Sequence, residues 1–264
     1  MTVDIQSSPS KTQRNTGYTL TVLAILFMIM DAAFKFTHGA PVIEANRQLE
    51  IPMSMTPAIG IIALVCLAFY IIPSTNVLGA ILFTGYLGGA IAVHVRVGNP
   101  IFTHILFPIY IALFIWGGIW FCDRTLRDLF PIVKNPVTSA PSKALLYTGY
   151  VITVLAALLV LLSAVMKFVY VAPAGSPPPA FPMEYVHTLA YIEILLVALY
   201  LFPRTAFFGA VFLSGYLGGA TMIGLRAGES IGSSIIPAII AVFLWIGLWL
   251  RNAQVRSLIP LRNK

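Results

Sequence analysis

Eight separate stretches of this chain are each long and apolar enough to cross a lipid bilayer, and they leave few folds open to it. They lie at about 17–36, 54–72, 76–97, 101–121, 145–170, 184–202, 206–225 and 232–250. Roughly 20 apolar residues span the hydrocarbon core as a helix. The runs are continuous instead of alternating, and a spanning sheet would have to close into a barrel, so strands are disfavoured. Of the 264 residues, 59% are hydrophobic and only 9% charged, which leaves little material for a soluble domain. The expected fold is all-α, a polytopic membrane protein.

Residues 1–15 read as a polar cytoplasmic tail. The first apolar run is too long for a signal peptide and lacks a small-residue cleavage site, so it is expected to stay as a helix. The net charge of +7 could suggest nucleic acid, but its distribution argues for simple topology. Of the 16 Lys and Arg residues, all but Lys35, Arg47, Arg96, Lys167 and Arg226 fall on the side shared by the termini. The positive-inside rule then places both termini and the central linker in the cytoplasm. Cys66 and Cys122 lack metal-type or CxxC spacing, so each is expected to act as a small hydrophobe, with no metal site.

The chain is written twice. "YIIPSTNVLGAILFTGYLGGA" (70–90) aligns with "YLFPRTAFFGAVFLSGYLGGA" (200–220), "TGYTLTVLA" (16–24) with "TGYVITVLA" (148–156), and "IWGGIWFCDRTLRDLFP" (115–131) with "LWIGLWLRNAQVRSLIP" (244–260). The expected division is a four-helix unit at 16–131, a linker at 132–144 with two prolines, and a second four-helix unit at 145–264. An even number of spans per unit gives two tandem parallel bundles, unlike the inverted repeats of many carriers.

These features, namely the Ile72-Pro73-Ser74-Thr75 and Phe202-Pro203-Arg204-Thr205 turns, the GYLGGA segments, the arginine after each, and the closing W…W…LR…P pattern, resemble the DoxX-like four-helix membrane proteins. The resemblance covers nearly all of 16–262, twice over. It implies a multi-pass protein of the bacterial inner membrane. It also implies association with a redox complex, since the family takes its name from a membrane subunit of a thiosulfate:quinone oxidoreductase, while other relatives are associated with membrane-protein assembly. No catalytic residues come with it.

On a helical wheel, Gly85, Gly88, Gly89, Ala92 and Arg96 share an arc of about 100°, and Gly215, Gly218, Gly219, Met222 and Arg226 repeat it. Small residues at this spacing let another helix approach closely. The arginine at the end of each seam is therefore expected to point into the bundle. An unpaired arginine costs ~3 kcal/mol at the bilayer centre, so acidic partners are expected, and Asp31 and Glu193 are the intramembrane candidates. Asp31 stands four residues before Lys35. Lys167 repeats Lys35 with Ser163 in place of the acid, while Glu193 falls where the first unit has Ala63.

Two readings of these charges stay open. Asp31 and Glu193 neutralise the bases and set helix register, or Asp31, Lys35, Arg96, Lys167, Glu193 and Arg226 line outward-facing cationic pockets for an anionic or carbonyl-bearing molecule such as a quinone head group. His94 and His104 fall at similar depth, but interfacial hydrogen bonding is expected of them over metal ligation. The loops 37–57 and 171–187, the second rich in proline, are either covers for such a pocket or plain connectors. Trp116, Trp120, Trp245 and Trp249 are expected as interfacial belt anchors.

No nucleophile–base pair, phosphate loop or cysteine cluster supports chemistry by the chain alone. The functional expectation is a quinone-binding or other small-molecule-binding membrane subunit of a redox complex, with lipid and a redox partner protein as neighbours. The alternatives are a membrane-protein assembly partner and a small-solute carrier.

Overall fold

The computed structural model describes residues 9–133, 141–169 and 180–261, and these contain helices and turns without a strand. Eight helical segments are long and apolar enough to cross a membrane. We number their main helices α1 (Lys11–Phe34), α2 (Thr56–Ile71), α3 (Asn76–Arg96), α4 (Phe107–Cys122), α5 (Lys143–Val169), α6 (Val186–Leu201), α7 (Ala206–Arg226) and α8 (Ile236–Arg251). The protein is thus an all-α, multi-pass membrane protein.

The helices follow the apolar runs closely, with one departure at the start. α1 begins at Lys11, inside the stretch read as a polar tail, because Ser10 and Gln13 form a reciprocal capping box that satisfies two end N–H groups. Three short helices were not visible as apolar runs: Ala40–Leu49, Arg124–Leu129 and Ala253–Leu258. The last two are capped alike, by the side chains of Asp123 and Asn252. Residues 134–140 of the central linker, 170–179 of the proline-rich loop, and both chain ends lie outside the described residues.

Packing follows membrane logic. α1 buries Gly17, Ala24, Met28 and Ala32, and α5 buries Gly149, Thr153, Ala156, Ala157, Val160 and Ala164. Large aliphatics such as Leu155, Leu158 and Leu162 point outward, each more than half exposed. Lipid tails are as apolar as leucine, so exposing Leu costs nothing there, and helices gain most where small residues let backbones meet. Gly17 abuts Gly118 on α4, and Gly149 abuts Gly247 on α8, joining the first helix of each repeat to its last. In each repeat the four helices close a ring, α1–α2–α3–α4 and α5–α6–α7–α8, and one apolar core runs through both.

Corresponding polar ties recur in the two rings. Tyr70 donates to the Ile115 carbonyl at 2.9 Å and Tyr200 to that of Leu244 at 2.7 Å. Trp116 Nε1 donates to Thr84 Oγ1 at 2.9 Å and Trp245 Nε1 to Ser214 Oγ at 2.8 Å. Trp120 and Trp249 donate to the carbonyls of Phe130 and Ile259. Trp116 and Trp245 are therefore core residues and not the belt anchors the sequence suggested, while Trp120 and Trp249 are half-buried. Each indole N–H has a partner inside the protein, and Trp116 and Trp245 are buried. Cys66 is a buried core residue, while the Cys122 thiol reaches the Arg14 carbonyl at 3.8 Å.

The two rings join through α3 and α7. A Cβ placed on Gly88 would collide with the Gly215 backbone, and one on Gly218 with that of Gly85. Further along, Gly89 faces Met222 and Gly219 faces Ala92. The partner of each glycine seam is the seam of the other repeat. Gly88→Ala and Gly218→Ala should each destabilise the protein by about 1–3 kcal/mol, the usual cost of overpacking. Gly232→Ala, where the nearest atom to an added Cβ is Ser230 Oγ at 4.0 Å, should not. Thermal unfolding in detergent checks this, and unchanged midpoints for both seam variants would contradict the packing.

Candidate functional site

Two kinds of charged cluster lie among the helices. The first is a carboxylate, a lysine and a tyrosine, present once in each repeat. In the first repeat Lys35 Nζ donates to Asp31 Oδ1 at 2.6 Å, and the Tyr86 hydroxyl donates to Asp31 Oδ2 at 2.7 Å. The lysine also sits 5.9 Å from the Tyr86 ring centre. In the second repeat Lys167 Nζ reaches both oxygens of Glu193, at 2.9 and 3.0 Å, and Ser163 donates to the same carboxylate at 3.0 Å. Tyr216, the counterpart of Tyr86, faces Glu193.

The acid has moved from one helix to another while keeping its contacts. Asp31 lies on α1, as does its counterpart position Ser163 on α5, yet Glu193 comes from α6. Glutamate is longer by one methylene and reaches the same lysine from the neighbouring helix. Its side chain is only 3% exposed. A carboxyl group that deep is tolerated because four protein contacts replace its water.

The second cluster is where α3 and α7 end. Arg96 Nη2 donates to Glu50 Oε2 at 2.8 Å, and Arg226 Nη1 donates to the same oxygen at 3.0 Å. Arg226 also reaches the Glu50 carbonyl at 3.3 Å, and Arg96 Nε donates to the Ala180 carbonyl at 3.0 Å. The arginine side chains are 17% and 8% exposed, that of Glu50 58%. Two cations around one anion leave a net charge of +1. Beside them is a cleft of about 410 Å³ lined by Gln48, Glu50, Arg96, Val97 and Pro182. The hydrogen bond from Arg96, then its charge and that of Arg226, hold the Glu50 carboxyl below the ordinary carboxylate range.

The expected pairing of the arginines with Asp31 and Glu193 is overturned. Tyr86, which binds Asp31, stands ten residues before Arg96 on α3, about 15 Å along the helix axis. The same interval separates Tyr216 from Arg226. The six charged residues singled out in the sequence therefore fall into three groups: Asp31 with Lys35, Glu193 with Lys167, and Arg96 with Arg226. Glu50 was missed because the loop holding it showed no apolar period. It closes the helix Ala40–Leu49 in a left-handed conformation, φ 53°. Pro41 near that helix's start and the Glu44–Arg47 spacing were its only sequence signals. Tyr86 and Tyr216 were visible inside GYLGGA, but the glycines absorbed the explanation.

The histidine rings of residues 94 and 104 meet edge to face at 5.5 Å, and His94 Nδ1 lies 2.8 Å from Asn99 Nδ2. Among the described residues no three His, Cys, Asp or Glu side chains gather as a metal site would require.

The DoxX-like family model matches residues 19–118 and again 151–247. The chain belongs to the DoxX-like family. Two matches in tandem account for the recurrence of the tyrosine, tryptophan and glycine contacts in this DoxX-like protein. No curated protein and no solved structure matched it.

Two outcomes test this geometry. Glu193→Ala leaves the Lys167 ammonium unpaired at depth and should cost about 3–5 kcal/mol. Adding Ser163→Asp should restore much of that, because it rebuilds the four-residue spacing of Asp31 and Lys35; thermal unfolding of the single and double variants decides it. Glu50 gives a pH signature. Its folded pKa is depressed, so its contribution is full above the unfolded carboxylate value and disappears as pH falls through the folded value. Glu50→Gln should therefore lower the unfolding midpoint at neutral pH, and the two proteins should converge in acid.

Proposed function

We propose that this DoxX-like protein is a membrane subunit that binds a small anionic or carbonyl-bearing molecule where Arg96 and Arg226 meet, on the side of the membrane opposite the termini. The supporting observation is the convergence of two largely buried guanidiniums, one per repeat, on a single exposed carboxylate beside a cleft. A guanidinium offers planar, directed donors suited to carboxylate, phosphate or carbonyl oxygens. A quinone head group matches the redox association that the family resemblance implies, with the catalytic centre on a partner protein.

In this reading the repeats stand side by side in the same sense, both termini lie in the cytoplasm, and the membrane is a bacterial inner membrane. The Asp31–Lys35 and Glu193–Lys167 pairs neutralise themselves and set helix register. The assembly-partner alternative loses its main surface, because each glycine seam is covered by the other.

The test is equilibrium binding of a short-chain ubiquinone analogue and of benzoate to the purified protein. Arg96→Gln and Arg226→Gln should each weaken binding roughly tenfold or more, the weight of a hydrogen bond to a charged group. Asp31→Asn should leave it unchanged. Equal affinity in the wild type and both arginine variants would overturn the proposal.

A further inference from the structure

The cluster of Arg96, Arg226 and Glu50 is unevenly built. The cations are held by α3 and α7, the best-packed pair of helices, while the anion hangs from the end of a ten-residue helix whose surface is mostly exposed. Both guanidiniums use the same oxygen, Oε2, of a side chain that is 58% exposed. Arg226, 92% buried by its 8% exposure, keeps its Nε without a hydrogen-bond partner among the described residues. Five N–H donors per guanidinium exceed what one carboxylate oxygen and two carbonyls can accept. The pair is under-occupied, and its anion is the least anchored part.

We propose that Glu50 is an internal stand-in for an external oxyanion, and that a carboxylate or phosphate group binds Arg96 and Arg226 by displacing it. This rests on the binding reading above and specifies its ligand class and its competitor. The displaced carboxylate moves to water, which its exposure already allows, and the incoming group accepts two or more hydrogen bonds from the paired guanidiniums. The C-terminal end of the Ala40–Leu49 helix, tied to the bundle end through Glu50, is then released from that tie, while Asn46, which donates to Thr56 Oγ1 at 2.6 Å, still holds the helix to α2. The ligand chemistry is an oxyanion, whether of a free solute or of a lipid head group.

The experiment measures inorganic phosphate and benzoate binding to wild type, Glu50→Gln, Glu50→Asp and Arg226→Gln in detergent. A parallel arm uses nanodiscs of phosphatidylcholine with and without phosphatidylglycerol. Apparent affinity falls by the fraction of molecules whose site is free. Removing the internal competitor should therefore tighten binding about tenfold in Glu50→Gln, less in Glu50→Asp. Arg226→Gln should weaken it roughly tenfold or more. A fluorophore at Gln48→Cys should report movement of the helix end on ligand addition to the otherwise wild-type protein, an outcome independent of how well Glu50→Gln folds. Loss of phosphate and benzoate binding specifically in phosphatidylglycerol discs identifies the head group as the oxyanion; its persistence there identifies a free solute. If both Glu50 variants bind as the wild type does while Arg226→Gln does not, the stand-in role is refuted and the binding site survives. If phosphate, benzoate and phosphatidylglycerol all fail to bind any variant, the inference falls; whether the quinone analogue still binds decides the broader reading separately.

Discussion

The contact of glycine against glycine between α3 and α7 is the constraint on which the rest depends. Backbones meet at Gly88 with Gly215 and at Gly85 with Gly218, closer than any side chain would permit. In a bilayer, where apolar burial contributes little between helices, such close approach is the main source of packing energy. It also decides where the helix ends arrive. Because the two seams touch, Arg96 and Arg226 come within reach of one carboxylate oxygen, although 130 positions separate them in the chain.

The intramembrane acids obey a different rule. Asp31 and Glu193 occupy unrelated positions in the two repeats, yet each contacts the lysine and faces the tyrosine of its own ring. What the duplicated unit preserves is a place for a carboxylate among those groups, and either neighbouring helix can supply it. A lysine largely withdrawn from solvent calls for such a partner, since its charge is costly to leave unpaired at depth. This division separates the self-paired acids and lysines from the arginine end, where a donor without a partner among the described residues and an exposed anion coexist.

Much was legible from residue order alone. Continuous apolar runs announced the spanning helices, and the repeated phrases announced two units, because hydrophobic length and internal similarity are local properties. The wheel placed Gly88, Gly218 and both arginines on packing faces. It could not say that the faces pack on each other. Glu50 lay in a segment too short and polar to stand out, and Trp116 and Trp245 matched the statistics of interfacial residues while their N–H partners, Thr84 and Ser214, sat on another helix.

The amino-acid order by itself settled that the chain is helical, membrane-spanning and duplicated, since twenty apolar residues in lipid must satisfy their own backbone hydrogen bonds. Only the tertiary structure decided which charges meet. Ion pairs between helices depend on depth and rotation, and here about 15 Å of helix rise separates each arginine from the tyrosine nearest the acid first proposed for it. That distance sent both arginines to Glu50.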